Sequence, residues 1–201
     1  MVNPWMEAAT EVVAGREPAP AVPVERPRVR AHPCPRVAVQ PLEPGARLPR
    51  RAVKPGPMVW VLGVHGGAGE STVARCLPES VAAGHAWPVR EDAGPVSVLL
   101  VARSSTAGLR AVQRAMRDWA SHGVPGVEIS GLVLIPDAPG KRPRPLREFV
   151  ELIRGAVPAV WEVPWCEAWR FEEEPSMVTA TAGVGRAIQG LIDDIYPTNG
   201  S

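Results

Sequence analysis

Val59-Trp60-Val61-Leu62-Gly63-Val64, running into His65-Gly66-Gly67-Ala68-Gly69-Glu70-Ser71-Thr72-Val73-Ala74, decides how this chain is read. An apolar run bounded by glycine fits a strand buried on both faces, the kind found in parallel sheets. A glycine-rich turn follows it, and then a helix begins. Working outward, Val96–Ala102, Ile129–Ile135 and Ala159–Val163 read as further strands. Between and after them, helices are expected over Ser71–Ser80 (stopped or bent near Pro78), Ala107–Ser121, Leu146–Arg154 and Val178–Ile195. Leu109, Val112 and Met116, with Trp119 or Ala120, share one face of the second of these. Strand then helix, repeated, predicts an α/β fold of three layers: a mainly parallel sheet with helices on both faces, built from right-handed crossovers. Ligands in such sheets bind beyond the carboxyl ends of the strands, and the first such end is the glycine turn.

The whole chain sets outer bounds. Its 201 residues, 45% of them apolar, suffice for one domain with a real core. A net charge of +1 gives no global field for nucleic acid or an anionic membrane. Residues 1–57 hold nine Lys/Arg against five Asp/Glu, so the first part is mildly basic and the remainder mildly acidic. Twelve of the 24 prolines also fall there. Proline removes donors and fixes φ, so residues 1–57 are expected to form a disordered Pro/Arg-rich tail, with a short helix over 4–14 after Asn3-Pro4-Trp5. Residues 58–197 are expected to form the folded domain. Cys34, Cys76 and Cys166 fit neither a disulfide framework nor a zinc knuckle, which points to a reducing cytoplasm. No apolar run is long enough to span a bilayer, and the N-terminus lacks a signal-peptide layout.

A phosphate loop needs glycines so that backbone N–H groups can wrap an anion, a lysine to meet the β/γ charge, and a Ser/Thr hydroxyl for Mg²⁺. Gly66, Gly67 and Gly69 supply the first, and Ser71 and Thr72 stand where hydroxyls belong. The lysine position is Glu70. This pattern resembles the ParA/MinD-like P-loop ATPases, whose motif reads Lys-Gly-Gly-x-Gly-Lys-Ser/Thr-Thr. Residues 65–72 match it in the glycines, Ser71 and Thr72, while His65 and Glu70 replace both lysines. The likeness extends loosely over residues 58–195, with Val98–Ala102, Leu132–Pro136 and Val160–Pro164 in the places of later strands. It implies a reduced P-loop NTPase-like domain that could hold ATP or another nucleotide only weakly, with Mg²⁺ only alongside it. The cofactor-binding residues would be His65, Gly66, Gly67, Ala68, Gly69, Glu70, Ser71 and Thr72. The family also carries strand aspartates for Mg²⁺ and water. Only about twenty residues separate Cys76 from Val96 here, and Glu79, Glu91 and Asp92 among them end no apolar strand.

Lys→Glu changes the local charge by two units beside a triphosphate. Each unit pair at about 4 Å is worth roughly 1 kcal/mol in water and about 4 kcal/mol at an effective dielectric near 20. The swing reaches about a thousandfold in affinity or more. Fast ATP hydrolysis is therefore not expected. Glu70 could instead favour the first helical turn and fill the anion hole itself.

Other readings stand beside this one. Gly63-x-x-Gly66-x-x-Gly69 also fits a Rossmann-like dinucleotide turn, with Glu91 or Asp92 for the ribose, although Trp87-Pro88-Val89 looks too short and broken to be the strand leading there. Trp161, Trp165 and Trp169 around Pro164 could cover the sheet end, dock a partner or line a pocket. Lys141, Arg142, Arg144 and Arg147 could meet phosphates or nucleic acid, or form a solvated basic loop. Arg26, Arg28, Arg30, Arg36, Arg50 and Arg51 could bind nucleic acid weakly, but no aromatics are interleaved to stack bases. His32, His65, His85 and His122 have no metal-ligand spacing, and His65 alone could donate to an anion in the turn or face solvent. The expected function is a non-hydrolysing binding or scaffolding module whose partner is a protein or larger assembly, with homodimerisation left open. The competing class is an ATPase or ATP-binding protein with an atypical loop.

Overall fold

The computed structural model describes residues 31–34, 39–92, 94–172 and 174–197. The expected helix over 4–14 and most of the Pro/Arg-rich tail lie outside them. Five parallel strands make the main sheet: β2 (Val59–Gly63), β3 (Ser80–Ala82), β5 (Val96–Arg103), β6 (Val127–Ile135) and β7 (Val160–Glu162), in the order β3-β2-β5-β6-β7. A separate parallel pair joins β1 (Arg50–Val53) to β4 (Trp87–Arg90). Four α-helices complete the fold: α1 (Glu70–Cys76), α2 (Thr106–Ala120), α3 (Arg144–Arg154) and α4 (Ala182–Ile195). The fold is α/β and three-layered, as the alternation of patterns predicts.

Period-two geometry in the buried strands divides the core in two. Leu62, Val98, Leu100, Leu132 and Leu134 pack with Leu109, Val112 and Met116 of α2 and Val150 and Ile153 of α3. Val61, Leu99, Val101, Val133 and Ile135 point the other way, onto Val73 of α1 and Val184, Ile188 and Leu191 of α4. Both faces of the central strands are covered, so these strands read as unbroken apolar runs.

Several expectations change in detail. α1 stops at Cys76, and Ser80 begins a strand instead of ending a helix. α4 starts at Ala182, where the Thr181 hydroxyl accepts from the Val184 amide, so residues 178–181 are loop. Trp87-Pro88-Val89, expected to be too broken for a strand, forms β4. Pro88 is tolerated because β4 stands outside the main sheet, paired only with β1. The expected tail contributes structure too: Arg50–Val53 is β1, and residues 39–49 lie against α2.

That attachment has a buried anchor. Asp118 of α2 is 1% exposed, and its Oδ2 accepts from the indole N–H of the fully buried Trp87 at 3.1 Å. Its Oδ1 faces Arg47 Nε at 3.9 Å, while that guanidinium donates to the Leu42 carbonyl at 2.8 and 2.6 Å. One carboxylate thus ties β4 and the proline-rich strap to α2. No helix among the described residues is long and apolar enough to cross a membrane.

Candidate functional site at the carboxyl end of the sheet

The glycine turn leaves the end of β2 as the strand-end rule requires. Gly67 (φ +71°) and Gly69 (φ +97°) adopt left-handed backbone, and a Cβ at Gly69 would lie 2.4 Å from Ile135 Cδ1. Gly66 faces open space, with nothing within 4 Å of where a Cβ would stand. Among the described residues, the amides of Gly66, Gly67 and Gly69 donate to no protein acceptor.

Glu70 does not fold into this turn. Its carboxylate accepts from the backbone N–H of Gly84 at 2.5 Å and of His85 at 3.2 and 3.3 Å. Gly84 (φ +70°) and His85 (φ +55°) are consecutive left-handed residues, an arrangement that turns successive amides toward one anion. The His85 ring reinforces it, Nδ1–H donating to the Gly63 carbonyl at 2.6 Å. Residue 70 therefore clamps α1 to the connection between β3 and β4. The expectation that Glu70 fills its own anion hole gives way to this clamp, because the amides of Gly84 and His85 take up its carboxylate. Glu70→Ala removes charge-assisted bonds at a partly buried site and should destabilise the protein by about 1–2 kcal/mol, with Glu70→Gln in between. Urea unfolding checks this, and an unchanged midpoint for Glu70→Ala would refute the clamp.

His65 is likewise committed. Its Nε2 lies 3.0 Å from the Arg103 amide and can only accept there, so Nδ1 carries the proton and donates to the Gly66 carbonyl at 2.8 Å. The ring fastens the turn to the end of β5 and is not free to donate to an anion.

The remaining strand ends enclose a cleft of about 480 Å³, lined by His65, Gly66, Gly67, Arg103, Asp137 and Trp165, with Ser105, Ala138, Pro139 and Arg170. A smaller recess of about 100 Å³ brings Gly69 and Thr72 against the same Arg103, Trp165 and Arg170. Of the expected site residues, His65, Gly66, Gly67, Gly69 and Thr72 converge here. Ala68 is buried in the core, Ser71 is exposed, and Glu70 turns away.

Arg103 is the residue that sequence reasoning missed. It ends β5, and that position at a strand's carboxyl end was the signal for it. Its Nε–H donates to the Gly67 carbonyl at 3.2 Å and Nη1 to the Pro136 carbonyl at 2.9 Å. Burial pushes its pKa down, and the charge of Asp137 partly offsets that. Arg170 lies over the Trp165 ring at 5.6 Å.

The basic loop contributes less than its composition suggests. Arg142 pairs with Glu162 at 2.8 Å, Arg144 with Glu148 at 2.8 Å, and Arg147 donates to the Arg142 carbonyl. The tryptophans separate in role: Trp161 donates to Asp194, Trp169 to the Ser176 carbonyl, and Trp165 walls the cleft. Glu91 and Asp92 follow β4, beside the recess lined by Met58, Trp60, Pro95 and Val96 at the amino ends of β2 and β5. They stand at the wrong end of the sheet to meet a ligand at the glycine turn, which leaves the dinucleotide reading without its acidic residue. Among the described residues no group of three or more His, Cys, Asp or Glu could hold a metal ion.

Fold and site together define a parallel α/β domain with a glycine turn opening on a cleft at the carboxyl end of its sheet. The chain belongs to DUF6668, a family of unknown function, whose pattern matches residues 57–188. No curated protein and no solved structure matches it.

Proposed function

We propose that this is a non-hydrolysing, ParA/MinD-like P-loop domain that works as a binding or scaffolding module. The observation that carries the reading is the state of position 70. A P-loop needs a mobile cation there to follow phosphate charge. This chain has a carboxylate instead, held by the Gly84 and His85 amides. A second requirement is also unmet. Mg²⁺ in such sites is held by the loop hydroxyl and by an aspartate near the end of a strand beside the loop strand. The two neighbours of β2 end in Ala82-Ala83-Gly84 and Arg103-Ser104, and neither strand end carries an aspartate or glutamate of its own. Ser71 thus has no strand-end carboxylate with which to share the metal.

What persists is the scaffold: the turn, its three glycines and the cleft above the strand ends. A domain that keeps this surface without the charges of hydrolysis presents it to a partner, for which we propose another protein or a larger assembly. The rival class, an ATPase with an atypical loop, rests on Ser71 and Thr72. Measurement of ATP turnover on the full chain separates the two. No turnover above background is expected, and turnover that Ser71→Ala abolishes would overturn the scaffold reading.

A further inference from the structure

We propose that the cleft between Arg103 and Arg170 is a ligand site for a phosphomonoester of nucleoside-monophosphate size, with Arg103 as its anion anchor and Trp165 as its flat wall. This deepens the reading above and rests on it only for the location of the ligand.

The argument starts from Arg103. A guanidinium has five N–H donors in a rigid fork and stays charged. Here two nitrogens are engaged by neutral carbonyls, Gly67 and Pro136, which fix the group at the rim of the cleft. Nη2 makes no hydrogen bond among the described residues, and no carboxylate there lies within ion-pair distance of Arg103. The side chain is partly buried, so it has given up water without gaining a direct ion pair, and the charge of Asp137 only partly offsets that burial. Such a cation is costly unless an anion completes it. Arg170 adds a second positive group, whose partner within the chain is the exposed Glu167 at 3.6 Å. Asp137 lines the same cleft and opposes them, so the lining side chains carry one net positive charge, suited to a compact anion and not to a triphosphate.

Size and shape supply the rest of the ligand. A cleft of about 480 Å³ falls within the range of small-molecule sites, roughly 300–1,000 Å³, and exceeds what a bare phosphate needs. Trp165 puts an aromatic ring in the lining, with the Arg170 guanidinium over it at 5.6 Å, and a base or sugar packed against that ring is favoured without its identity being read. On the far side of the turn Glu70 denies a longer phosphate chain the cation it would need. Gly66, with nothing within 4 Å of where a Cβ would stand, leaves the floor accessible to the ligand.

The test titrates AMP into the full chain, following tryptophan fluorescence and binding heat, with adenosine and Mg–ATP as comparisons. Saturable AMP binding is expected, weakened about tenfold or more in Arg103→Gln and several-fold in Arg170→Ala. Asp137→Asn should tighten it, and Trp165→Phe should remove most of the fluorescence change. Where Arg103→Gln fails to fold, the opposite shifts of the Arg170 and Asp137 variants decide. Absent AMP binding, adenosine binding as tight as AMP, tighter binding of Mg–ATP, or affinity indifferent to these charges would each overturn the assignment. None of those results touches the scaffold reading, which stands or falls on turnover.

Discussion

Gly108→Ala is expected to lower stability by about 3 kcal/mol, the upper end of overpacking costs, although it adds one methyl group in a helix. Helical propensity alone predicts the opposite sign, a gain of about 1 kcal/mol over glycine. The decision lies in the contact: a Cβ at Gly108 would stand 2.1 Å from the Arg103 carbonyl oxygen and 3.0 Å from His65 Nε2. The first neighbour is backbone at the end of β5 and cannot rotate aside. The start of α2, held by the Ser105 hydroxyl accepting from the Gly108 amide, must lift off the strand end. Lifting it also pulls at the bond between His65 and the Arg103 amide, so the glycine turn and cleft should loosen together. At 2–4 °C per kcal/mol for a protein of this size, the melting point should fall by roughly 6–12 °C. A melting point equal to that of the wild type would refute the close approach.

Asp118→Ala is the second large effect. It strands the indole N–H of Trp87 in a fully buried site and leaves Arg47 without its carboxylate. An unsatisfied buried donor costs about 1–3 kcal/mol, and the loss of a partly buried ionic partner adds to it. A total near 3 kcal/mol is expected, measured by urea unfolding. Asp118→Asn retains an acceptor for Trp87 and should cost clearly less. Limited proteolysis gives an independent reading, since release of the strap should expose residues 39–53 to cleavage in Asp118→Ala first. Equal loss in the alanine and asparagine variants would overturn this account, since an isosteric amide that can still accept from Trp87 would then protect nothing.

Legibility in the sequence follows how local the information is. β2, β5 and β6 were readable because strands covered on both faces must be apolar throughout. α2 was readable because its buried face repeats at helical spacing over 15 residues. β1, β3 and β4 are three or four residues each, too short for any period to register, and they form only when a neighbour supplies hydrogen bonds. The proline content of residues 1–57 argued for disorder, yet Arg50–Val53 found an edge to pair with and Arg47 found Asp118. No count of prolines can report a partner seventy residues away.

The same division runs through the site. Residue type at fixed spacing was enough to establish the glycine turn, its position at a strand end, and the presence of His65 and Glu70 at its two ends. Where the charges point was settled by packing in three dimensions. It sent Glu70 to the Gly84–His85 amides, closed the His65 ring on Arg103, and brought Arg103, Asp137, Trp165 and Arg170 from three strand ends to one cleft. Side-chain direction is fixed by long-range packing and by which backbone donors remain unpaired, and neither is written in local sequence.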